Sequence, residues 1–160
     1  HTIAVLFGAF ACDFEHSSRP ELLSAVLSFT ASISLALMRQ GYHHMVVATP
    51  EGSLAAYPVD DRRGFNKMLD ALTATPLGPT HPTSNEQYAK LVAARGVSKT
   101  VLVTLGVDEQ VYIDLGRLTD LSVLHVSDSV ESYSIERGAN YIITHCPVSS
   151  DSARIKSLEL

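Results

Sequence analysis

The groups that could do chemistry in this chain gather in a few places. Cys12-Asp13-Phe14-Glu15-His16-Ser17-Ser18 follows an apolar run and brings together a thiol, two carboxylates, an imidazole and two hydroxyls. Asp13 and Glu15, with Asp108 after a later apolar run, are hard oxygen donors of the kind a Mg²⁺-class ion needs. Solvated loop carboxylates are the commoner case. His43-His44 suggests an imidazole metal site. Adjacent residues at a strand start point to opposite faces, however, so one ion cannot easily use both. His145-Cys146 has the residue types of a base and a nucleophile. Such a pair needs side chains within hydrogen-bond reach, which sequence neighbours rarely manage. His125 lies inside an apolar run and reads as a core or sheet-face residue, His81 as solvated in a Pro-rich loop. His16-Ser17-Ser18 reads most simply as a helix cap.

Several chemistries lack their motif. The chain has no Gly-x-Ser-x-Gly elbow, so an α/β-hydrolase is not supported. It has neither Gly-x-x-x-x-Gly-Lys-Ser/Thr nor Gly-x-Gly-x-x-Gly, so a nucleotide cradle is not supported. Net charge is −5 with no basic block, which argues against nucleic acid or an anionic membrane as partner. Trp is absent, which removes the best platform for stacking bases. Two cysteines make no disulfide framework, and a reducing, cytoplasmic setting is the simpler expectation.

The elements that must position these groups follow from periodicity. Thr2 to Phe10 is a continuous apolar run without basic leader or cleavage site, and reads as a buried strand rather than a signal peptide. The chain begins at His1 and reads as a domain cut from a longer protein. Ser17 or Ser18 can cap a helix that carries Pro20 and Glu21 in its first turn and runs to about Gln40. Its apolar stripe is Leu22, Val26, Phe29, Ile33 and Leu37, widened by Leu23, Leu27 and Leu35. The segment Leu22–Met38 is near the lower length limit for a membrane span and holds five hydroxyl residues, so a helix packed on a sheet is expected.

His44–Thr49 and Leu54–Val59 read as strands. The turn between them is too short for a parallel crossover, so they form an antiparallel hairpin, and Pro58 suits an edge. Helices follow at Gly64–Thr73, with Phe65, Met68, Leu69 and Leu72 inward, and at Asn85–Ala94, which Ser84 can cap. Thr100–Leu105 is a strand, Asp108–Leu118 a helix, Leu121–Ser127 a strand, Val130–Gly138 a short helix and Asn140–Thr144 the last strand. Residues 1–148 thus form one α/β domain, a doubly wound, mostly parallel six-stranded sheet with one antiparallel edge strand. Residues 149–160 form a tail.

This order is similar to a von Willebrand factor A domain. Leu22–Gly52, with a Ser/Ala-rich helix ending Leu-Met-Arg-Gln-Gly and then a strand, resembles the bacterial "domain of unknown function 58" family. Phe65–Gly78 and Lys99–Gly106 resemble that family's next helix and central strand. The resemblance implies a Rossmann-like three-layer fold. It also implies a module of a larger, often membrane-anchored bacterial protein, encoded near MoxR-type AAA+ ATPases and acting in interaction or assembly rather than catalysis.

A complete A domain holds a divalent ion through Asp-x-Ser-x-Ser after the first strand, a Thr in a later loop and an Asp after the central strand. Here the first motif falls on Phe7-x-Ala9-x-Ala11 or Gly8-x-Phe10-x-Cys12, and Leu105 stands where the later Asp belongs. Thr80 or Thr83 could supply the Thr, but alone holds nothing. No ion is therefore expected at the usual place and no cofactor is implied, although Asp13, Glu15 and Asp108 could rebuild a site. The expected contact rim comprises Phe10, Cys12, Asp13, Phe14, Glu15, Thr80, Thr83, Leu105 and Asp108, with Phe10, Phe14 and Leu105 as its exposed apolar members. The partner is expected to be a protein, with the MoxR-type ATPase the candidate the resemblance implies, and this segment itself is not expected to span a membrane. The alternative is a small-molecule-binding or hydrolytic domain using Asp13, Glu15, Asp108 or His81 at the same edge.

Overall fold

A computed structural model of the chain describes residues 2–8, 20–48, 54–74 and 84–148. Its strands are β1 (Thr2–Phe7), β2 (His44–Ala48), β3 (Ala55–Val59), β4 (Val97–Thr104), β5 (Asp120–Ser127), β6 (Ser134–Arg137) and β7 (Tyr141–Pro147). Its helices are α1 (Pro20–Arg39), α2 (Arg62–Thr73), α3 (Asn85–Arg95) and α4 (Glu109–Gly116). The strands form one sheet in the order β3-β2-β1-β4-β5-β7-β6. The β2–β3 and β6–β7 pairs are antiparallel and the rest are parallel. The mixed α/β architecture is as expected from the sequence. The segment expected to be a helix at Val130–Gly138 is instead the strand β6, so the sheet has seven strands and two antiparallel edges.

Period-two alternation divides the strands between two cores. Val5, Phe7, Val46, Val101, Val103, Leu124, Val126 and Cys146 face one way and pack with α1 and α2. Ala4, Leu6, Met45, Val47, Leu102, Leu121, Val123 and Ile143 face the other way and pack with α3 and α4. A sheet covered on both faces has strands whose central positions are apolar on both sides, which is why Ala4–Phe7 of β1 and Val101–Val103 of β4 carry no polar alternation.

Local signals set the helix limits. The α1 helix stops in a Schellman arrangement at Gly41, whose φ of 81° is comfortable only without a Cβ. Tyr42 N–H donates to Leu37 O at 2.9 Å and Gly41 N–H to Met38 O at 3.1 Å. Asp61 caps α2 by accepting from Gly64 N–H. Ser84 and Gln87 form a reciprocal capping box on α3, which ends at the left-handed Gly96. By length and apolar composition α1 could also cross a membrane. In this fold Leu22, Val26, Phe29, Ile33 and Leu37 are buried against the sheet. Leu27 and Leu35 are only half-buried and Ser24 and Ser28 are exposed, so the covered stripe is narrower than the sequence suggested.

Candidate functional site

Parallel strands deliver their loops to one edge of the sheet, and ligands of open α/β sheets bind there, where the strand order reverses. In this sheet the reversal lies between β1 and β4. Gly8 N–H donates to Val103 O at 2.7 Å and keeps the two strand ends together. Of the expected rim, Phe10, Cys12, Asp13, Phe14, Glu15, Thr80 and Thr83 lie outside the described residues, as do His16, Ser17, Ser18 and His81.

Leu105 and Asp108 are described, and both differ from expectation. Leu105 was expected to be an exposed apolar contact but is 6% exposed and packs into the α1-side core. The loop after β4 turns inward at this point. Thr104 Oγ1 and the Tyr112 hydroxyl both donate to Gly106 O, at 3.1 and 2.8 Å, and pin the turn from below. Two positions on, Val107 is left 54% exposed and is the apolar side chain this loop presents. Asp108 was expected to be a rim carboxylate. It is the N-cap of α4, with Oδ1 accepting from Val111 N–H at 3.2 Å.

A cleft of about 300 Å³ opens beside this loop, lined by Leu22, Leu105, Val107, His125, Ser127 and Ser129 among others. Ser127 Oγ lies 2.8 Å from Ser129 Oγ and accepts from Ser129 N–H at 3.1 Å, an ST-turn that fixes the β5–β6 connection. Its polar wall continues into a chain of titratable groups that sequence reading did not find. His125 and His145 are register partners on β5 and β7. Their Nδ1 atoms face each other at 2.9 Å, with ring centroids 5.1 Å apart and planes at 83°. His125 Nε2–H donates to Leu105 O at 3.1 Å, and His145 Nε2–H to the carboxylate of Glu136 at 3.0 Å.

The hydrogens in this chain can be counted. A carbonyl and a carboxylate only accept, so both Nε2 atoms carry their hydrogen. A neutral imidazole has one N–H and one lone pair. Two neutral rings therefore point lone pair at lone pair across the 2.9 Å gap. That contact is repulsive until a cation lies in it. The sequence did hold a signal. Each histidine sits four positions past the first apolar residue of its strand, Leu121 and Tyr141, and those two pair in parallel. Glu136 was hidden because its segment read as helix.

His43 is exposed and lies 3.4 Å from Asp60, while His44 is buried, so the adjacent pair does diverge. His44 Nδ1–H donates to Tyr42 O at 3.0 Å, and Nε2 accepts from the Ser34 hydroxyl at 2.7 Å. Desolvation holds its pKa below the usual imidazole value. Cys146 is fully buried on the face opposite His145, and burial pushes its thiol up to about 12. That keeps it protonated and unreactive, and no Cys–His pair forms.

No family model matches the chain, and no curated protein does. Solved structures similar to it include a von Willebrand factor type A protein from Catenulispora acidiphila. The identity is 13%, covering 81% of this chain and 33% of that one, with a TM-score of 0.49. The chain thus spans about a third of that protein's length. Another is the SpRpn10 VWA domain, at 12% identity, covering 98% and 93% of the two chains, with a TM-score of 0.49.

Proposed function

We propose that this chain is a von Willebrand A-like interaction module that engages a protein partner through the C-terminal edge of its sheet. The supporting observation is what that edge holds at the strand-order reversal. The loop after β4 offers an exposed Val107 beside a buried Leu105, and its one carboxylate, Asp108, caps a helix. An apolar tip on a pinned loop suits a protein surface better than a hard cation, which needs several free oxygens. In this reading the module is non-catalytic and lacks the Asp-x-Ser-x-Ser ion site. It belongs to the "domain of unknown function 58" type, and works in the cytoplasm as part of a larger bacterial protein. Its partner is a MoxR-type AAA+ ATPase.

The test is site-specific photo-cross-linking in cells that carry the full-length protein. A cross-linker at Val107 should capture the ATPase. One at Arg63, which follows β3 at the opposite edge, should not. Equal capture at both positions, or none at Val107, would remove the edge as the interface. A second reading, a small-molecule site at the same edge, is favoured by the cleft of about 300 Å³ with hydroxyls and an imidazole on its wall.

A further inference from the structure

We infer that the facing Nδ1 atoms of His125 and His145 bind a divalent transition-metal ion of the Zn²⁺ class. This inference stands apart from the interaction reading. Its two ligands lie on β5 and β7, and the loop after β4 enters only through the Leu105 carbonyl that anchors His125.

Three features carry it. Imidazole nitrogen is a preferred donor for Zn²⁺ and its neighbours. Metal-bound histidines almost always anchor their other N–H on a carboxylate or a backbone carbonyl, which fixes the tautomer and aims the free lone pair. Both rings are anchored in this way, His145 by Glu136 and His125 by Leu105 O, so each presents Nδ1 as a lone pair. The spacing also fits. Two nitrogens each about 2.0–2.1 Å from a tetrahedral ion stand about 3.3 Å apart. Reaching that from 2.9 Å takes an opening of about 0.4 Å, which a tilt of each ring supplies with the centroids left near 5.1 Å.

The surroundings suit added positive charge. Glu136 bonds His145 directly, Asp128 lines the adjoining cleft, and the chain carries a net charge of −5. Among the described residues no third His, Cys, Asp or Glu completes a set of three ligands. The described residues supply two nitrogens, and water can take further positions. Such a site is open, unlike the closed four-ligand shell of a structural zinc. His145 is 19% exposed at its side chain and the cleft reaches His125, so an ion has a way in.

The competing occupant is a shared proton, which fits the 2.9 Å contact as it stands. The full chain, stripped with a chelator, is titrated with ZnCl₂ alone by calorimetry and with CoCl₂ by visible absorption. One saturable equivalent and an intense tetrahedral Co²⁺ band are expected. His145→Gln and His125→Gln should each weaken binding at least tenfold, and Glu136→Gln about tenfold, the usual loss for an outer-shell acceptor. His43→Gln should bind as the wild type does. If His125→Gln fails to fold, the two exposed-side variants, His145→Gln and Glu136→Gln, decide the matter. Binding without saturation, or binding unchanged in those two variants, would overturn the inference. So would nitrogen NMR showing the proton still between the Nδ1 atoms in excess Zn²⁺.

Discussion

His44 shows how one buried side chain can make stability depend on pH. Its ring is 5% exposed, with Nδ1–H on Tyr42 O and Nε2 on the Ser34 hydroxyl, so the neutral form has both partners it needs. Protonation would put a second N–H against a hydroxyl inside the core. Desolvation is the main cause of the lowered pKa, and the Tyr42 carbonyl opposes it. The sign follows from proton counting. Above the ordinary imidazole value of about 6.5 neither state binds the proton. Below it the unfolded chain binds more protons than the folded one, so stability falls as pH drops through that value toward the folded pKa. Urea midpoints measured at pH 7.5 and 5.5 should fall for the wild type, and His44→Gln should fall by less. An equal fall in both would clear His44 of the effect. Ser34→Ala leaves Nε2 without its donor and should cost about 1–3 kcal/mol at pH 7.5, the ordinary penalty for an unmet buried group.

At the scale of elements, legibility tracked burial. β1, β2, β4, β5 and β7 are core strands whose apolar runs exceed anything a loop would carry, and α1 shows its stripe outright. The helix ends are partly readable: Ser84 precedes Gln87 in a capping-box pattern, whereas Asp61 lies among charged neighbours with no such partner, although both accept from the third helical N–H. β6 was the failure. It has four residues, all exposed, and three of them are Ser134, Glu136 and Arg137. A short charged edge strand is what resists edge-to-edge pairing, and the same features erase the alternation that would announce it. The site suffered from this directly, because Glu136 reaches His145 only if its segment is extended beside β7. The capping devices give a measurable check. Ser84→Ala should cost about 1 kcal/mol. Gly96→Ala should cost at least about 1 kcal/mol, since its φ of 62° strains any Cβ. Each is read from a urea midpoint, and a neutral Gly96→Ala would mean that α3 ends differently.

For the whole molecule, the two cores decide which edge residues can belong to an interface. Sequence pattern alone ends the central strand at Leu105 and assigns that residue to the rim. The loop instead folds Leu105 under, against the α1-side core, and shows Val107. The difference comes from Gly106, whose carbonyl takes two hydrogen bonds from Thr104 and Tyr112, a tertiary feature that no local period records. It makes the two positions behave oppositely under the same change. Leu105→Asp places a carboxylate in the α1-side core, and should lower stability by about 3 kcal/mol or more, as buried charge does. Val107→Asp alters an exposed position and should stay within about 0.5 kcal/mol of the wild type. Thermal or urea unfolding separates them before any partner is involved. Loss of partner in Leu105→Asp alone would then report unfolding, whereas loss of partner in a fully folded Val107→Asp would locate the interface at this loop. If Val107→Asp melts as the wild type does and still binds its partner, the loop after β4 is not the contact, and the search moves to the other loops of the same edge.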